Sequence, residues 1–276
     1  REELAKLTVN DTQGTIEKGS RTALVTGAGS GIGRCRQALA ELGYRLILAG
    51  LDPAKLEAAA EELHEQYGLA VEVIPIDLAR PEAAHELSSG YRLSAVKSMS
   101  WSINAGAFSF RDILQNTRRA DRKRILCLHA LTTTLTCRLF GAEMSRRGCG
   151  GHILNMASYS LWMPGRDWRC TAPANPTCVV FGSFAKEVRE QNIRVTAVCP
   201  AGVATDLYGL RPAGSASAAA GCAHHTGQLC PASLKASGED ALLRTRLVEP
   251  AFHTLLPSDA MCVLRVARKY TMKLQR

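Results

Sequence analysis

Thr22 to Leu42 reads T-A-L-V-T-G-A-G-S-G-I-G-R-C-R-Q-A-L-A-E-L, and the rest of the chain is read outward from it. The apolar run Ala23-Leu24-Val25 is short enough for a buried strand. Gly27, Gly31 and Gly33 interrupt it, and apolar residues then recur at helical spacing at Ala38, Leu39 and Leu42. Strand, glycine turn and helix follow in order. Glycine suits such a turn because the backbone reverses sharply and a ligand approaches where a Cβ would collide, while the N–H groups opening the helix attract a pyrophosphate. The plain alternative is a tight strand-to-helix turn that binds nothing. The spacing G-x-x-x-G-x-G, with Ile32 after Gly31 and no Lys-Ser/Thr pair, excludes a phosphate-hydrolysing loop.

Further motifs follow: Asp77-Leu78, Asn104-Ala105-Gly106, Asn155-Met156-Ala157-Ser158 and Pro200-Ala201-Gly202-Val203-Ala204-Thr205. Together with Thr26 to Gly33, in this order and spacing, they resemble the short-chain dehydrogenase/reductase family over roughly residues 20–208. The resemblance implies an α/β fold, a doubly wound parallel sheet (Rossmann-like) with helices on both faces, to which the composition beyond Thr205 adds the expectation of an irregular C-terminal region. It also implies an NAD(P)(H)-dependent oxidoreductase interconverting a carbonyl and a secondary alcohol. By the same resemblance Gly27, Ser30, Gly31, Ile32 and Gly33 hold the pyrophosphate and ribose, Asp77 and Leu78 the adenine, and Asn104, Ala105 and Gly106 the adjacent ribose. Pro200 and Gly202 join the cofactor-binding set, Thr205 contacts the nicotinamide, and Ser158 contacts the substrate oxygen. His129 stands where the family presents an asparagine to the active site. A histidine there is either a satisfied core residue or part of the chemistry.

The chain has 276 residues, 46% of them hydrophobic, enough for a sizeable core. The expected organisation is a polar N-terminal extension over 1–20, a dinucleotide-binding domain over 21–208, and a poorly defined C-terminal region over 209–276. The opening residues carry no apolar signal-like run, and no later stretch is expected to approach the length that spans a bilayer, so a cytoplasmic protein is expected. Ten cysteines, scattered without a C-x-x-C pair, are expected as free thiols. The net charge of +9 includes a basic cluster at Arg118-Arg119 and Arg122-Lys123-Arg124. Without aromatic platforms it reads as a solvated helix face and not as a nucleic-acid surface. Cys222, His224, His225 and Cys230 fit no standard zinc spacing, so no metal is expected. The resemblance further implies a small-molecule partner and homo-oligomers formed through the last helices.

Tyr44 to Ala49 reads as a second buried strand, and Asp52-Pro53 as a cap and first helical residue, with Leu56, Ala59, Ala60, Leu63 and Tyr67 on the buried face. A carboxylate closing the second strand would bind the ribose 2′-hydroxyl and repel a 2′-phosphate. Gly50 stands there, so NADP(H) is expected over NAD(H). Leu51 occupies a place where the family often supplies an arginine, and Arg34 is the candidate replacement. Val71 to Ile76 is a third strand. Asp77 at its end is either an ordinary cap or, by resemblance, the adenine contact. Ile125 to Phe140 reads as a long central helix, His152 to Met156 as the fifth strand and Arg194 to Cys199 as the sixth. Strands alternating with helices argue for a parallel sheet covered on both faces. Residues 211–240, rich in Ala, Ser and Gly, show neither period.

Family members use a Tyr-x-x-x-Lys pair in which the lysine lowers the phenol pKa from about 10, and the tyrosine then exchanges the carbonyl proton. No such pair exists in this chain: Cys170 or Thr171 fills the tyrosine place, and Ala174 or Asn175 the lysine place. Read from the third base of each codon, residues 167–175 permit L-A-L-Y-S-A-S-K. In the same frame the codons around Lys97 to Ile103 permit E-V-D-V-L-V-N, an apolar strand. As written, K-S-M-S-W-S-I is a poor buried strand. The pattern predicts a translation that slips frame and recovers around 88–103, 114–124, 165–182 and 211–261. The rivals are an inactive dinucleotide-binding module and, more remotely, a basic nucleic-acid binder.

Overall fold

Apolar runs punctuated by glycine turns and amphipathic helices assemble into a single parallel sheet wrapped on both sides. The structure is a computed structural model that describes residues 21–90, 98–103, 105–106, 119–148, 150–157, 183–198 and 243–244. Its strands are β1 (Arg21–Thr26), β2 (Arg45–Gly50), β3 (Glu72–Pro75), β4 (Ser98–Ile103), β5 (Gly151–Met156), β6 (Ile193–Val198) and β7 (Leu243–Arg244). They lie in the order β3-β2-β1-β4-β5-β6-β7, every neighbouring pair parallel. That order reverses direction between β1 and β4, the switch point at which doubly wound sheets open a crevice beyond the strands' carboxyl ends.

Helix α1 (Cys35–Glu41) is entered through a 3-10 turn at Gly31–Arg34. Helix α2 (Pro53–Tyr67) starts as its sequence predicts, with the Asp52 carboxylate accepting the Lys55 N–H at 3.3 Å and proline at the first helical position. Helix α3 is Ala83–Gly90. A longer helix comprises α4 (Arg119–Leu126), a π-helical segment at Cys127–Thr132 and α5 (Thr133–Arg147). Residues 183–187 are helical and lead through a 3-10 turn at Arg189–Gln191 into β6.

The period-two alternation of β1 sends its residues to two separate cores. Ala23 and Val25, with Leu46 and Leu48 of β2, pack against Leu39 of α1 and Leu56 and Leu63 of α2. Leu24, with Ile47, packs on the opposite face among Leu87, Phe140, Met144 and Ile153. A sheet buried on both sides needs near-continuous apolar strands, which is why R-L-I-L-A-G and T-A-L-V-T read as they do. Ala60 and Tyr67 are half-buried at the margin of the first core.

Three expectations are corrected. Ser98–Ile103, judged a poor strand, lies between β1 and β5, with Trp101 paired to both Leu24 and Ile153. Ladder hydrogen bonds come from the backbone, so two strong neighbouring strands can hold an S-M-S-W-S-I segment that composition disfavours. The central helix extends well beyond 125–140. Residues Ala120–Arg147, 28 in all, are long and apolar enough by composition to cross a membrane, contrary to the expectation that no stretch approaches that length. Half of its apolar window is buried inside the domain, and Cys137, Phe140 and Met144 pack into one core with Leu24, Ile47 and Ile153 of the sheet, which marks the core helix of a doubly wound fold. β7, just past the 211–240 stretch that shows neither period, pairs with Ala197 and Val198 of β6.

Candidate functional site

The turn after β1 is built by glycines in distinct ways. Gly27 and Gly31 take φ of 62° and 56°, the left-handed region that side chains disfavour. Gly33 is needed for space: a Cβ there would lie 2.2 Å from the Gly27 carbonyl oxygen and 2.8 Å from Ala28 Cα. Ser30 precedes the 3-10 turn in extended conformation, makes no side-chain capping bond, and accepts the Gly33 N–H on its carbonyl at 3.0 Å. The Ala28 N–H donates to Ala49 of β2 at 3.3 Å, fixing the turn to the sheet. Ile32 is half-buried beside it.

Across the switch point the Ala105 N–H donates to Thr26 Oγ1 at 3.2 Å, joining the end of β1 to the segment after β4. Ala105 is half-buried and Gly106 exposed at the lip of this crevice. Gly27, Ser30, Gly31, Ile32, Gly33, Asp77, Leu78, Ala105 and Gly106 therefore all follow the carboxyl ends of β1, β3 and β4, on one edge of the sheet.

Of the two roles that the sequence leaves open for Asp77, the local cap is the one seen here, with an ion pair added to it. Its Oδ1 accepts the Ala79 N–H at 3.0 Å, a local capping bond. Arg124 of α4 also grips the carboxylate, Nη1 to Oδ2 at 2.8 Å and Nη2 to Oδ1 at 3.3 Å. Partial burial pushes the Asp77 pKa upward, but the Arg124 guanidinium and the Ala79 N–H outweigh it and hold the carboxyl below its ordinary range. One arginine of the basic cluster, expected as a solvated face, is thus an ion-pair partner. The buried Leu78 accepts a 2.8 Å bond from Thr132 Oγ1 on its carbonyl. The long helix is therefore tied to the 77–78 turn on both sides of His129, which sits half-buried in the π-helical segment. Such one-turn π insertions recur at functional sites.

Beneath the site, Asn155 of β5 is buried against Cys137 Sγ at 3.7 Å, and burial drives that thiol up to about 12 despite the asparagine contact. Cys35, Cys127 and Cys137 are buried thiols that form no disulfide among the described residues. Gly50 closes β2 with its carbonyl accepting the Ile76 N–H at 2.7 Å, followed by Leu51, which is 66% exposed. Arg34 is exposed at the end of the 3-10 turn. Asn104, Ser158, Pro200, Gly202 and Thr205 lie outside the described residues, as do Cys170, Thr171, Ala174, Asn175 and the 222–230 Cys/His group. Sequence reasoning missed Arg36 altogether. It is 3% exposed under the glycine turn, and its only signal was a charged residue inside the apolar run C-R-Q-A-L-A.

Comparison with known proteins gives one consistent picture. A family model described as short chain dehydrogenase matches residues 21–214. Galactitol 2-dehydrogenase (L-tagatose-forming) of Cereibacter sphaeroides is 34% identical over 192 residues, covering 67% of this chain and 72% of that protein. Probable oxidoreductase EphD of Mycobacterium tuberculosis is 27% identical over 193 residues, 68% of this chain, which spans only 32% of that relative's length. Among solved structures, a short-chain dehydrogenase from Sphingobium yanoikuyae in complex with NADPH superposes with a TM-score of 0.75 at 23% identity, covering 92% of this chain and 95% of that one.

Proposed function

The chain belongs to the short chain dehydrogenase family, and from that membership we propose an NAD(P)(H)-dependent oxidoreductase that interconverts a small carbonyl compound and a secondary alcohol. The observation that carries this reading is the turn at Gly27 to Gly33, where a Cβ on Gly33 would stand 2.2 Å from the Gly27 carbonyl oxygen. Such a close-packed turn, entering a helix at the switch point, suits the backbone cradle of a pyrophosphate. Gly27, Ser30, Gly31, Ile32 and Gly33 would hold the pyrophosphate and its ribose. Asp77 and Leu78 would receive the adenine, and Asn104, Ala105 and Gly106 the adjoining ribose, with Pro200, Gly202 and Thr205 at the nicotinamide. When bound, the nicotinamide ring donates or accepts the hydride. Ser158 would steady the substrate oxygen, and His129 would stand beside it in the place of the family asparagine.

NADP(H) is the preferred coenzyme in this reading. Gly50 brings no carboxylate to the end of β2, a Cβ there would have Leu56 methyls at 3.5 and 3.8 Å and Ala28 N at 3.9 Å as its nearest neighbours among the described residues, and Arg34 is an exposed cation nearby in the chain. The reading places the protein in the cytoplasm, in homo-oligomers, with domains divided near residue 208.

A second reading is favoured by one specific feature, the absence of Tyr-x-x-x-Lys. On it the chain is an inactive dinucleotide-binding module, since losing the positioned proton donor typically removes a factor of about 10² to 10⁴ in rate. Following NADPH absorbance with the purified chain and a panel of ketones and aldehydes separates the two: turnover supports the enzyme, binding without turnover supports the module. Should the missing pair reflect a slipped frame, resequencing the source DNA restores L-A-L-Y-S-A-S-K near 167–175, and peptides reading C-T-A-P-A-N from an error-free gene end that explanation.

A further inference from the structure

Arg36 is a guanidinium almost wholly removed from water, directly under the turn that the proposed function assigns to the pyrophosphate. Its Nη1 donates to the carbonyl of Ala28 at 2.8 Å, and its Nη2 to Glu62 Oε2 of α2 at 2.8 Å. The other carboxylate oxygen of Glu62 accepts Gln37 Nε2 at 2.7 Å. Arg36 Nε is buried with no hydrogen-bond partner among the described residues. Burying a charge is costly unless it is paired, and an unpartnered Nε adds to the cost, so packing alone is a poor reason for an arginine here. What the side chain does gain is a two-ended hold: one nitrogen on the turn, one on a neighbouring helix.

We propose that Arg36 is a positioning residue for coenzyme binding, its fork fixing the Ala28 carbonyl against the Glu62 carboxylate so that the glycine turn is preset for a pyrophosphate. Ala28 is then held from both sides, its N–H by Ala49 of β2 and its carbonyl by Arg36. With the two peptide groups that flank the Ala28 Cα both secured, residues 27–33 are kept in the close approach that Gly33 permits. A turn already in place loses little conformational freedom when a ligand arrives, which favours affinity. The fork matters as well as the charge: a lysine at this position has one ammonium on a flexible stem and cannot reach both acceptors in fixed geometry.

The inference rests on the dinucleotide reading, and its test separates the two. Wild type, Arg36→Gln, Arg36→Lys and Glu62→Gln are compared by NADPH titration and, without ligand, by amide hydrogen exchange of peptides covering 26–33 and 151–156. The expected result is a tenfold or greater loss of NADPH affinity in Arg36→Gln and Arg36→Lys and a smaller loss in Glu62→Gln. Exchange should accelerate at least tenfold in 26–33 and stay within twofold in 151–156. A purely structural role would instead speed exchange in both segments and leave affinity unchanged well below the melting temperature, which overturns the inference, as does full retention of affinity and protection in Arg36→Lys. Should Arg36→Gln not fold, Arg36→Lys and Glu62→Gln give the same readings. If wild type takes up no NADPH, the dinucleotide reading fails and this inference falls with it; wild-type binding with unaltered variants overturns this inference alone.

Discussion

Replacing Gly33 by alanine tests the site at its tightest point. The added Cβ would stand 2.2 Å from the Gly27 carbonyl oxygen and 2.8 Å from Ala28 Cα, both backbone atoms that no side-chain rotation can clear. The turn must open by about an ångström, and overpacking of this kind costs about 1–3 kcal/mol. Since the displaced atoms are those proposed to shape the pyrophosphate cradle, most of that strain should appear as lost affinity, about tenfold for each 1.4 kcal/mol. Gly33→Ala is therefore expected to weaken NADPH binding by about 10- to 100-fold in a fluorescence titration and to lower the melting temperature by a few degrees. Gly50→Ala is the control, because its Cβ would meet Leu56 side-chain atoms at 3.5 Å, an ordinary contact, and its stability should stay within about 0.5 kcal/mol of wild type. If Gly33→Ala binds NADPH within threefold of wild type and melts at the same temperature, the close approach is irrelevant to the ligand and the reasoning fails.

Other expectations follow from the same geometry. The Arg146 hydrogen bond chiefly, joined by Arg147 against a smaller effect of burial, draws Glu143 from an ordinary 4.5 down to about 2. Its stabilisation is thus fully present above 4.5 and lost as pH falls through about 2, so Glu143→Gln should lower the melting temperature at pH 7 and lower it by progressively less as pH is taken down toward 2. Cys137, pushed up to about 12 by burial, should resist iodoacetamide at pH 8 in the native protein and react after denaturation, as mass spectrometry of the labelled peptide will show; native labelling at the rate of a free thiol would contradict its placement. Leu63 is fully buried in the core between β2 and α2, and Leu63→Ala should cost about 2–5 kcal/mol in chemical denaturation, whereas the exposed Leu51 should tolerate alanine.

What was legible in the sequence shares one property: it depended on local chemistry. The Asp52-Pro53 start of α2 is written in adjacent residues, and so are the left-handed glycines at 27 and 31 and the doubly buried strands around Leu24 and Ile47. The misread features depend on partners far along the chain. β4 looks too polar on its own, yet its place is set by β1 and β5 on either side. Arg124 stays exposed as expected, but its ion pair with Asp77, 47 residues earlier, is set by the fold, and Arg36, which no local pattern singles out, is enclosed by Ala28 and Glu62. The π insertion at Cys127–Thr132 goes unread because an extra residue shows only as a slip in apolar phase, and a segment apolar along most of its length hides such a slip. The site was legible in the same measure: the edge of the sheet was found from its glycines, and the side chains that hold it were not.

Titrating the purified full chain with NADPH, then NADH, in a calorimeter tests the account most directly. A saturable one-site heat is expected, stronger for NADPH than for NADH. No heat from either coenzyme, with the protein shown to be folded by its melting transition, would contradict the claim that the turn between β1 and α1 receives a dinucleotide.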